Sequence, residues 1–132
     1  MAYLTEQELI DGYLPADVAK GSDTDDRTVA IEAASAEADG YLRRAGYQLP
    51  LASVGADLKA AVGAIAAYRL AVKLGLVPEP AAQSAVYLAA KAALEWLRGV
   101  AEGRITPIVE DDAGETTVPA GPRFDSDPPR GW

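Results

Sequence analysis

Alanine governs what this chain can become. It occurs 27 times in 132 residues, and all but two of those positions lie before Glu102. Alanine loses no side-chain entropy on ordering, so it has the highest helix propensity of any residue. The residues that interrupt it then decide where helices begin and end.

Thr5-Glu6-Gln7-Glu8 reads as a capping box opening a short helix from Glu6 to about Asp11. Gly12, Pro15, Gly21 and Ser22 mark a loop. Asp25 or Asp26 caps a second helix running to about Ala45, with apolar positions at Val29 or Ala30, Ala34, Ala38, Tyr41, Leu42 and Ala45, and Gly46 closes it. Residues 47–55 are apolar for a linker and are expected to lie extended on the core. A third helix, Ala56 to Leu74, carries one stripe of Leu58, Ala61, Ile65, Tyr68 and Val72. A second stripe, Val62, Ala66, Leu70 and Leu74, makes it the expected centre of the bundle. Pro78 and Pro80 bracket the start of a fourth helix, with Pro80 suited to its first turn. That helix runs to about Glu102, with Val86 or Tyr87, Ala90, Ala93 or Leu94, Leu97 and Val100 inward. Lys91, Glu95, Arg98 and Glu102 lie outward, at the spacing of an ion-pair ladder.

After Arg104 the composition changes. Residues 105–132 hold five of the nine prolines, and six acids against Arg123 and Arg130 give them a charge of -4. A stretch so polar buries too little surface to order itself. The β-prone segments Ile105–Val109 and Thr116–Val118 flank an Asp112-Ala113-Gly114 turn signal, and predict either a hairpin or a strand added to a partner. The expected architecture is all-α: a small bundle of three long helices plus a short N-terminal helix over residues 1–104, with an extended C-terminal arm over 105–132.

Cysteine and histidine are both absent, which removes disulfide frameworks, cysteine zinc sites and every Ser-His-Asp or Cys-His arrangement. Asp23-x-Asp25-Asp26 invites a calcium reading, but the fifth, sixth and twelfth places of such a loop hold Arg27, Thr28 and Ala34, so it reads as a helix cap. No GxGxxG or GxxxxGK[ST] pattern is present, so no phosphate cradle is signalled. No cofactor or metal is expected, and no catalysis. Residues 56–77 are the most apolar stretch, yet Asp57, Lys59, Arg69 and Lys73 interrupt it, against a membrane span. The first residues reach acids before any apolar run, against a secretory signal. A soluble protein made in a cytoplasm is expected. Net charge is -8, and an acidic chain gains little from phosphate contacts, which disfavours duplex binding.

The candidate functional residues are therefore those that suit contact with another protein. Arg43-Arg44 complements the dipole of the second helix. Arg69, midway along an apolar helix, is expected to snorkel or to pair with Asp39 or Glu37, across a helix–helix or a subunit contact. Trp96 lies between the inner and outer faces of the last helix, at a core edge or an interface. In the arm, Ile108, Val109, Val118, Arg123, Phe124, Arg130 and Trp132 are the residues able to anchor in a partner.

Several motifs then fall in a telling order: Met1-Ala2-Tyr3-Leu4-Thr5, Ala38-Asp39-Gly40-Tyr41-Leu42 with Leu49-Pro50-Leu51, Leu58-Lys59 with Ile65-Ala66-x-Tyr68-x-Leu70, and Ala93-Leu94-x-Trp96-Leu97-x-x-x-Ala101-x-Gly103. Over about residues 1–105 the chain resembles the Mu-like phage proteins of the neck, grouped with head–tail connector (adaptor) proteins. The resemblance implies an α-helical virion subunit that assembles with copies of itself into a ring, a dodecamer, beneath the portal protein. It would bridge the capsid to a tail, stopper or tail-terminator protein, leaving a channel through which DNA passes without specific binding. The residues alone leave two other classes open: a small acidic regulator or inhibitor seated in a protein's nucleic-acid groove, and an enzyme using paired carboxylates.

Overall fold

The computed structural model describes residues 2–77 and 84–110. The chain is all-α in its architecture. Helices α1 (Glu6–Gly12), α2 (Ala16–Gly21) and α3 (Thr24–Ala45) are followed by a two-residue strand β1 (Ser53–Val54). Helices α4 (Ala56–Lys73) and α5 (Ala85–Ala101) and a second short strand β2 (Val109–Glu110) complete the described elements.

Local chemistry accounts for the boundaries. Thr5 caps α1 by accepting from the Glu8 amide while the Glu8 carboxylate accepts from the Thr5 amide. A second box opens α3: Asp23 accepts from the Asp26 amide at 2.8 Å, and Asp26 accepts in return from Asp23. The cap is thus Asp23 rather than Asp25 or Asp26, because Asp26 is the third helical residue, the first-turn partner that completes the box. Gly46 ends α3 at φ 98°, a left-handed conformation that suits glycine. The stretch read as a loop contains α2. Its supposed breakers stand at its ends, Pro15 as N-cap and Gly21 as last residue, with Val18 fully buried between them. The last helix begins at Ser84, whose hydroxyl accepts from the Tyr87 amide, and not at Pro80. Pro78 and Pro80 lie outside the described residues.

Helix α4 packs against all four other helices and is buried at nine positions, from Leu58 to Ala71. Gly63 makes one of these contacts possible. A Cβ there would sit 2.5 Å from the Tyr13 ring, so the α1–α2 connection can lie directly on α4. That covering explains a departure from the expected stripes. Gly63, Ala67 and Ala71 are buried, whereas Val72 is 52% exposed. On α3, Ala30 and Ile31 are buried and Val29 points out. The expected ladder on α5 is not formed among the described residues, where Glu102 pairs with Arg104 beyond the helix end.

The linker after α3 lies on the core as expected, with Tyr47 and Leu51 buried. The start of the arm is part of the same body. Arg104 and Ile105 both donate their amides to the Gly99 carbonyl, and Ile105 fills the space a Cβ on Gly99 would need. Pro107 is fully buried. The Ile108 amide donates to Asp57 at 2.9 Å, its carbonyl accepts from Gly55 at 2.7 Å, and β2 pairs antiparallel with β1, Ser53 opposite Glu110. The β-prone segment at 105–109 thus finds its partner strand within its own chain. The Thr116–Val118 segment lies outside the described residues.

Candidate interaction surfaces

Two apolar grooves flank the α4–α5 pair. The first, of about 420 Å³, is walled by Ile65, Tyr68 and Val72 of α4 with Ala90 and Leu94 of α5, and is rimmed by Arg69, Lys73 and Glu37. The second, of about 400 Å³, lies along the first half of α4. Ala60, Ala61 and Ala64 face Ala89, Ala92, Ala93 and Trp96 across it, with Asp57 at its end. A helix turns 100° per residue, so Leu94 and Trp96 stand roughly 160° apart around α5. The grooves therefore occupy opposite edges of that helix. They differ in chemistry as well as in place: one is aromatic and aliphatic with charged residues at its rim, the other is alanine closed by a tryptophan.

The first groove is held in shape by polar ties at its rim. Arg69 gives Nη2 to Glu37 Oε1 at 3.1 Å, so the Glu37 alternative is the one adopted, across the α3–α4 contact. One turn on, Lys73 donates Nζ to Asp26 Oδ1 at 2.5 Å. That bond holds the Asp26 carboxyl below its ordinary value, helped by the Asp23 amide, and raises Lys73 above its own. Between these ties a smaller depression of about 180 Å³ runs over Val29, Ala30, Ala33 and Leu70. Tyr68 meets Tyr87 edge to face, centroids 5.7 Å apart, which fixes the ring forming the groove wall.

Of the residues singled out in sequence, Arg69 and Trp96 line different grooves. Trp96 is half-buried against the core, an edge residue with one face out. Ile108 is 64% exposed while its backbone is fastened to Gly55 and Asp57. Val109 lies in β2. Val118, Arg123, Phe124, Arg130 and Trp132 lie outside the described residues. Arg43 and Arg44 occupy the last turn of α3 as expected, Arg44 stacking 5.5 Å from the Tyr41 ring centroid. Sequence reading missed Val72 and Leu94 as groove walls and Lys73 as rim. The signal was present in Lys73, one turn from Arg69 on an apolar helix.

Asp23 and Asp26 are engaged in the α3 cap. Among the described residues no group of three acids, histidines or cysteines could hold a metal ion, and no described helix is long and apolar enough to cross a membrane.

A family model described as Bacteriophage Mu, Gp36 matches residues 3–126, and so takes in the body and much of the arm. No curated protein and no solved structure matches the chain. A match over nearly the whole sequence places the chain in a family: it belongs to the bacteriophage Mu Gp36 family.

Proposed function

We propose that this phage protein is a structural, non-catalytic subunit of the head–tail connector, acting in the virion neck. In this reading it closes into a ring with copies of itself below the portal protein. The ring bridges capsid to a tail, stopper or tail-terminator protein around a channel for DNA. The observation that carries the reading is the pair of unlike grooves on opposite edges of α5. A head-to-tail ring needs two different, mutually complementary patches on every subunit, whereas a two-fold dimer needs one self-complementary patch. Leu94 and Tyr68 supply bulk on one edge, and the Ala60, Ala64, Ala89 and Ala92 surface supplies room on the other.

Charge supports the same reading. The chain carries -8 overall, and a wall of such subunits repels a duplex and lets it slide. Light scattering on the chain co-expressed with its phage's portal protein tests the proposal. A closed complex with many copies of this chain is expected. A one-to-one complex would instead favour the small acidic regulator.

A further inference from the structure

The first groove has an occupant in the same chain. We infer that, in the free subunit, the Phe124–Asp127 segment of the arm docks in the groove between α4 and α5, with Phe124 against its apolar walls and its two carboxylates beside the half-exposed Arg69 and Lys73. This goes beyond the connector reading and does not depend on it.

Three observations carry the inference. The groove is apolar within, with Ile65, Tyr68, Val72 and Leu94 as walls, and Arg69 and Lys73 stand one turn apart at its edge beside Glu37. Each cation gives one contact to α3, yet their side chains remain 47% and 60% exposed, with donors to spare. The arm segment has the complementary chemistry. Phe124, preceded by Arg123, is followed by Asp125 and Asp127, whereas the other arm aromatic, Trp132, has no acid within four residues of it. Reach fits as well. The arm leaves the body at β2, which is tied to Gly55 and Asp57 at the start of α4. From there to Arg69 is roughly 18 Å along the helix, at 1.5 Å per residue. The fourteen residues from Glu110 to Phe124 extend to about 46 Å at most, so the segment arrives without strain. Tethering on so short a linker gives a local concentration on the order of millimolar, enough for a single aromatic anchor with two charge contacts.

The chain has no cysteine, so Ala120→Cys provides one site for a nitroxide label in the full-length protein. Amide signals of Tyr68, Arg69, Val72 and Leu94 are then expected to lose more than half their intensity in dilute solution. Phe124→Ala in the labelled chain should restore them, as should Val72→Glu, which alters an exposed wall and not the core. Broadening that is absent from the groove, or that survives Phe124→Ala, overturns the inference. So does broadening that appears only when labelled chains are mixed with unlabelled, isotope-enriched ones, since the occupant would then be another copy's arm.

Discussion

Arg27 joins the first three helices through a single guanidinium. It pairs with Glu6 at 2.5 Å, donates to the Ser22 hydroxyl and carbonyl, and reaches the Ala19 carbonyl. Its side chain is only 15% exposed, so removing it strands several acceptors at once. Arg27→Met should lower stability by about 1–3 kcal/mol, read as a drop in the urea midpoint, and Arg27→Lys should recover only part of this, because an ammonium lacks the planar fork. Tyr3 offers a second test. Burial, the hydrogen bond from its hydroxyl to Asp39 and the Asp39 charge together raise its ionisation above the ordinary value of 10.0. The folded chain therefore holds this proton where the unfolded chain has released it. The stabilisation is complete below pH 10 and is lost as pH rises through the folded value. Thermal midpoints of the native chain should fall above that pH more steeply than those of Tyr3→Phe. At neutral pH the Phe variant should be the weaker by about 1.5–3 kcal/mol, since a bond to a charged acceptor is gone.

The element with the most to test is the short return of chain from Arg104 to Glu110. Its Pro107 is fully buried, Ile105 packs over Gly99, and β2 pairs with β1. A chain ending at Glu110 should lose only what one docked aromatic segment contributes, about 1 kcal/mol or less, while one ending at Arg104 should lose about 2–4 kcal/mol more, as expected for emptying two apolar sites. A larger loss on ending at Glu110, read from the thermal midpoint, would mean that later residues are core. The same segment shows what a sequence can and cannot carry. Caps and stops are local chemistry, so the Thr5–Glu8 box, Gly46 and the alternation of buried positions on α5 could be read directly. The Arg69–Glu37 tie was legible because a cation midway along an apolar helix needs a nearby acid. The pairing of Val54 with Val109 links positions far apart in sequence, and nothing local specifies it. Helix α2 was hidden because Pro15 and Gly21 read as breakers whether they interrupt a helix or bound one. Arg27 was missed because its partners sit on α1 and at the end of α2, which only the fold brings together around it.

As a whole molecule the chain is an acidic helical body with two unlike apolar edges and an arm whose first residues are fastened to that body. Acidity makes a simple expectation: the chain should not retard duplex DNA in a gel even at low ionic strength, where any phosphate contact would be strongest. Retardation there would remove the reason for calling the channel wall passive. The edges make a sharper one. Electron microscopy of the phage head–tail junction at side-chain detail tests the central claim most directly. The connector reading requires this chain in a closed ring, with the Tyr68, Val72 and Leu94 edge of each copy seated on the Ala60, Ala64, Ala89, Ala92 and Trp96 edge of the next. A particle whose neck lacks the chain, or a ring joined through other faces with both edges open, would contradict it.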